Sequence, residues 1–113
     1  MNTEILAQLT QVLRERLQAD PQDSYVASLY GKGLNKILEK VGEEATEVIL
    51  AAKDHDGQPN PELRQALAGE VADLWFHTLV MLVQQGVDPD EVLSTLSERF
   101  GLSGHDEKAQ RSK

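Results

Sequence analysis

The chain contains no cysteine among its 113 residues. That excludes structural disulfides, iron–sulfur clusters and thiolate zinc sites. Aromatic residues make up only 4%, with a single tryptophan. Strand-rich domains draw on aromatic and β-branched side chains, whereas Leu, Ala, Glu and Gln abound here, so helix is favoured. Cations are also few: 11 Lys and Arg against 19 Asp and Glu leave a net charge of −8. Such a surface repels a phosphate backbone, so no nucleic-acid partner is expected. A small anionic substrate stays open, provided a metal supplies positive charge. Long apolar runs are missing too. The longest, Val48–Ala52 and Leu79–Val83, are far too short to cross a bilayer, and Met1–Leu13 has no basic flank leading into an apolar segment. The expectation is a cytoplasmic protein with neither leader nor membrane partner.

What is present fits one domain of ordinary globular composition, 40% hydrophobic and 27% charged. A core of this size is modest, so association with a second copy would help stability. Ile5, Leu6, Leu9, Val12, Leu13 and Leu17 recur at helical spacing and predict a first helix over about 3–19. Asp20-Pro21 ends it, because proline disfavours helical geometry in the residue before it. Ser24 can cap a short helix through about Leu29, and Gly31-Lys32-Gly33 breaks the chain.

A third helix is predicted from Leu34 to about Lys53, with a core stripe of Leu34, Leu38, Val41, Ala45, Val48 and Ala52. Asp56 to Pro59 reads as a loop. Asn60-Pro61 and Asp88-Pro89 are each a cap followed by proline at the first helical position. They start a fourth helix ending near Gly86 and a fifth ending at Gly101. The polar tail, 102–113, is expected to be disordered. The fold class is all-α: a helical bundle of about five helices in one domain, 1–101.

The chemistry lies on the two long helices. Glu43-Glu44-Ala45-Thr46-Glu47 and Glu70-Val71-Ala72-Asp73 each place two carboxylates one turn apart, Glu44 with Glu47 and Glu70 with Asp73. From Val71 to Val83 apolar residues occur on every side of the helix, which predicts burial all round. Glu70, Asp73 and His77 form a polar stripe about 60° wide along that rod. Buried carboxylates without a partner cost several kcal/mol, roughly, even after relaxation, so a cation is required. All-oxygen ligands without thiols suit Mg²⁺, or Mn²⁺. By itself Glu-Glu-x-x-Glu is a common solvated face; its conjunction with the second pair is what signals a metal site.

Two further features have two readings each. His77 is either a satisfied core residue or a group supporting the metal ligands through a hydrogen bond. Lys32, Lys36 and Lys40 are spaced by four and lead into the glutamates. They either contact substrate phosphates or pair along the helix, Lys40 with Glu44 for example.

Ser24-Tyr25-x-x-x-Leu29, Lys32-Gly33-x-x-Lys36-Ile37-x-x-Lys40-Val41-Gly42-Glu43-Glu44-x-x-Glu47 and Glu70-x-x-Asp73-x-x-x-His77 together resemble the phosphoribosyl-ATP pyrophosphatase family. The glutamate–aspartate part alone is shared with the wider all-α nucleoside triphosphate pyrophosphohydrolases. The resemblance implies Mg²⁺-dependent hydrolysis of phosphoribosyl-ATP to phosphoribosyl-AMP and pyrophosphate, the second step of histidine biosynthesis. It implies metal ligation by Glu44, Glu47, Glu70 and Asp73, with Glu43 as the catalytic group orienting water. Some relatives carry a fused cyclohydrolase domain with thiol zinc ligands; the length and absent cysteine suggest a stand-alone form here.

Three alternatives remain: a housecleaning nucleotide pyrophosphatase, a histidine phosphotransfer module and a non-enzymatic helical interaction domain. Phosphotransfer needs an exposed histidine, and Trp75-Phe76-His77-Thr78-Leu79-Val80 is too apolar a setting. The fourth helix has more apolar surface than its own chain can cover, with Trp75, Leu79 or Leu82 left over. A homodimer or higher even-numbered oligomer is therefore expected, its long helices forming a four-helix core. The resemblance adds that each pocket draws on both subunits.

Overall fold

Helix starts fall where capping chemistry puts them. In this computed structural model, which describes residues 3–101, the elements are α1 (Thr3–Glu15), a 3-10 turn (Arg16–Gln18), α2 (Tyr25–Lys32), α3 (Leu34–Gly57), α4 (Pro61–Gln84) and α5 (Pro89–Arg99). No strand occurs among the described residues. The Ser24 hydroxyl accepts from the Ala27 amide at 3.3 Å, and the Asn60 side chain accepts from Leu63 at 2.8 Å. At α5 the Asp88 carboxylate accepts from the Asp90 amide while Glu91 reaches back to the Asp88 amide at 3.1 Å. Each satisfies an amide that the first helical turn leaves without a partner. The tail from 102 onward lies outside the described residues.

Two boundaries differ from expectation. α2 continues through Lys32 and stops at Gly33, whose φ of +95° a residue with a Cβ rarely adopts. α3 runs on through Asp56 to Gly57, because nothing before Gly57-Gln58-Pro59 opposes helix.

α3 and α4 are each 24 residues long and joined by only three, so they fold back as an antiparallel pair. Their packing is the most extensive in the molecule. The core lies toward one end of this hairpin, where Leu13 of α1, Val26 and Leu29 of α2, Ile37 of α3, and Val80 and Val83 of α4 meet. α1, α2 and α5 gather there; among the described residues, little covers the outer faces of the hairpin's other half.

The expected α3 stripe needs correction. Ile37 is fully buried, whereas Leu38 and Ala52 are exposed. The inward row reads Leu34, Ile37, Val41, Glu44, Val48 and Ala51, the alternating three- and four-residue steps of a helix seam. A carboxylate sits in this otherwise apolar row.

The expectation that α4 is buried all round is also not met within one chain. Only His77, Val80 and Val83 are buried, Leu79 and Leu82 are half-covered, and Trp75 is 69% exposed. Among the described residues α4 packs mainly on α3, with shorter contacts from α1, α2 and α5, too few to surround a rod. As a whole, α4 is also long and apolar enough to cross a membrane by length and composition, with a mean hydropathy of 1.4 over its best window. The short uninterrupted runs in the sequence understate this. Glu70 and Asp73 fall in mid-helix, and Glu70 faces the seam with α3, a placement that suits a helical bundle.

Candidate metal centre

Because α3 and α4 run antiparallel, the middle of one meets the middle of the other. This brings Glu44 of α3 to Glu70 and Asp73 of α4, with one carboxylate oxygen from each lying within 4.8 Å of the other two. Glu44 and Glu70 are half-buried and Asp73 is exposed at the rim. Glu47, one turn along from Glu44, stays exposed outside this tight group. Its charge still reaches Glu70, whose carboxyl is pushed above the usual range by partial desolvation, then by the charges of Glu47, Glu44 and Asp73. Three of the expected ligands, Glu44, Glu70 and Asp73, thus come together, and Glu47 does not join them.

The described residues hold three ion pairs: Arg14–Asp88, Lys36–Glu39 and Lys40–Glu43. None of them compensates Glu44, Glu47, Glu70 or Asp73. A group of hard oxygen donors, mutually repelling and without a side-chain cation, fits a divalent ion of the Mg²⁺ or Mn²⁺ type.

The sequence family described as phosphoribosyl-ATP pyrophosphohydrolase matches residues 6–100. The chain belongs to this family. The phosphoribosyl-ATP pyrophosphatase of Hydrogenovibrio crunogenus (strain DSM 25203 / XCL-2) is 55% identical over 113 residues, covering 100% of this chain and 97% of that one. The family match spans both carboxylate pairs, the three lysines and His77.

Around the carboxylates of this pyrophosphohydrolase-family chain, the lysines pair differently from expectation. Lys40 reaches Glu43 at 3.1 Å and Lys36 reaches Glu39 at 3.3 Å, both one turn ahead; neither pairs with Glu44. Glu44 lies on the α3–α4 seam, whereas Glu43 points outward beside Lys40. The Glu43 hydrogen bond, with the charges of Glu43 and Glu44, favours the charged ammonium and raises the pKa of Lys40. Lys32 is exposed at the end of α2, apart from this row.

His77 is 6% exposed, with both ring nitrogens engaged. Nδ1 lies 2.8 Å from the Asp73 carbonyl oxygen and Nε2 lies 2.9 Å from the Tyr25 hydroxyl. The imidazole thus braces the backbone of a site residue rather than its carboxylate. A ring so enclosed is unsuited to phosphotransfer. Tyr25 is the residue to which sequence analysis gave no role. It follows the Ser24 cap and meets His77 edge-on, ring centroids 5.9 Å apart. No helical period encodes a contact across 52 positions of sequence; only its place in the Ser24-Tyr25 motif drew notice.

Proposed function

We propose that this chain hydrolyses phosphoribosyl-ATP to phosphoribosyl-AMP and pyrophosphate, in the cytoplasm, as the second step of histidine biosynthesis, with Mg²⁺ as its cofactor and Mn²⁺ as a substitute. The observation that carries this is the uncompensated group Glu44, Glu70 and Asp73 at the middle of the α3–α4 hairpin, in a chain matching the family from 6 to 100.

Glu44, Glu47, Glu70 and Asp73 would hold the metal. Bound there, it would neutralise charge on the phosphates and on the leaving pyrophosphate. Water adds to phosphorus, the anhydride between the α- and β-phosphates breaks, and a proton leaves the water. Glu43, which lies outside the tight carboxylate cluster, is the group proposed to orient that water and take its proton. Lys36 and Lys40 stand on the same helix as Glu43 and Glu44 and would exchange their surface glutamates for phosphate oxygens, with Lys32 reaching in from α2. His77 holds the Asp73 turn through its carbonyl.

The working unit is proposed to be a homodimer or a higher, even-numbered oligomer, with the α3–α4 hairpins of two chains forming a four-helix core. Trp75, Ile49, Leu50 and Leu38 are exposed large apolar side chains on that hairpin, and a two-fold interface would cover them on both copies.

The test of substrate is pyrophosphate release from phosphoribosyl-ATP against dCTP and dUTP at equal concentration. Preference for phosphoribosyl-ATP supports the pathway role. Preference for either deoxynucleotide would reassign the enzyme to nucleotide-pool housecleaning.

A further inference from the structure

Tyr25 occupies an unusual position. The residue is 52% exposed, yet its hydroxyl is tied to a buried imidazole that is itself tied to the backbone of Asp73. A carbonyl oxygen can only accept, so the hydrogen between His77 and Asp73 belongs to Nδ1. In the neutral imidazole Nε2 is then an acceptor, and the Tyr25 hydroxyl must donate to it. With its only hydrogen committed to His77, the phenol oxygen keeps lone-pair capacity free on a half-exposed residue. Among the described residues the hydroxyl's one partner is His77, and no donor takes up the remaining lone pair. The result is a fixed acceptor held, through one imidazole, to the backbone of Asp73, a member of the carboxylate cluster that would hold the metal.

We propose that Tyr25 is a specificity-determining substrate contact whose phenol oxygen accepts a hydrogen bond from the nucleoside part of the nucleotide, and that His77 is the positioning residue that holds it as an acceptor. This rests on the proposed nucleotide pyrophosphohydrolase activity. Phosphate oxygens carry lone pairs like the phenol oxygen and cannot satisfy it. Sugar hydroxyls and exocyclic nitrogens can. Tyr25 therefore distinguishes a nucleotide from a bare polyphosphate, while the metal-binding carboxylates and lysines hold what the two have in common.

Tyr25→Phe keeps the exposed ring and removes only the oxygen. It is expected to raise KM for phosphoribosyl-ATP by roughly three- to tenfold, the worth of one neutral hydrogen bond, with the effect on KM rather than on kcat. Inhibition by inorganic tripolyphosphate, which has no nucleoside, is expected to stay put. His77→Gln is expected to raise KM in the parent chain and to add nothing in the Tyr25→Phe background, because the two act as one unit. An unchanged KM in Tyr25→Phe would overturn the proposal, as would an equal weakening of tripolyphosphate inhibition. Additive effects of the two substitutions would remove His77 from the positioning role. Should His77→Gln fail to fold, the comparison of KM with tripolyphosphate inhibition still decides for Tyr25. Absence of turnover by the unsubstituted chain would instead sink the activity itself, and the two failures are thereby distinguished.

Discussion

Glu44 of α3 and Glu70 of α4 bring carboxylate oxygens within 4.8 Å of each other across the helical hairpin, both half-buried, with no cation paired to either among the described residues. Two like charges so placed oppose folding and are useful only to a ligand of opposite charge. Replacing Glu44 by Gln is therefore expected to divide the two properties. The metal-free protein should melt at a higher temperature, because Glu70 loses a repelling neighbour, while kcat/KM falls by about 100-fold or more with a ligand gone. Melting in chelator together with steady-state kinetics checks both. A variant that is less stable and still active would show that Glu44 serves packing.

The pH dependence follows from the raised Glu70 carboxyl. Its folded-state pKa lies above the ordinary 4.5, so the folded chain holds its proton more tightly than the unfolded chain does. The stability this group contributes is present at low pH and is lost as pH rises through the window above 4.5. A divalent ion binds the deprotonated form, so its stabilising effect runs the other way and grows across that window. At a hundredfold excess over Kd the gain is about 2.7 kcal/mol by linkage. Melting curves with and without Mg²⁺ at pH 4.5 and pH 7 are expected to differ little at the first and by several degrees at the second. A gap independent of pH would place the ion elsewhere.

Lys40 already has a partner in Glu43, so its replacement by Ala separates two roles. If the ammonium holds phosphate, KM rises or kcat falls well beyond any change at an exposed lysine such as Lys53. If it only pairs along the helix, kinetics stay level and the loss of stability is small. Parallel kinetic and melting data on Lys40→Ala and Lys53→Ala decide between them, and the first outcome is expected.

Trp75, 69% exposed on the outer face of α4, is the most sensitive probe of association. Trp75→Glu would set a charge against its symmetry mate in a two-fold interface. Light scattering is expected to show an even-numbered oligomer for the parent chain and a smaller species for the variant. A monodisperse, active parent near 12.5 kDa would contradict this.

Local features were the legible part of the sequence. Asn60-Pro61 and Asp88-Pro89 mark helix starts because a cap and a fixed φ act within a few residues. Both carboxylate pairs could be placed on helix faces by the same local periodicity. The row in which Ile37 replaces Leu38 depends on how α2 and α3 settle on each other, which no single helix encodes. The Val71–Val83 segment reads as buried all round because periodicity counts apolar positions and not the neighbours available to cover them. Lys40 pairing with Glu43 in place of Glu44 reflects the seam claiming Glu44. The Tyr25–His77 bond joins residues 52 apart, and only the assembled bundle brings them together.

The most direct test of the metal-dependent activity is pyrophosphate release from phosphoribosyl-ATP by the purified chain, first in chelator and then with millimolar Mg²⁺ restored. The carboxylate group at the middle of the α3–α4 hairpin predicts negligible release in chelator and full recovery on adding the ion. Equal turnover in both conditions, or none in either, would contradict it.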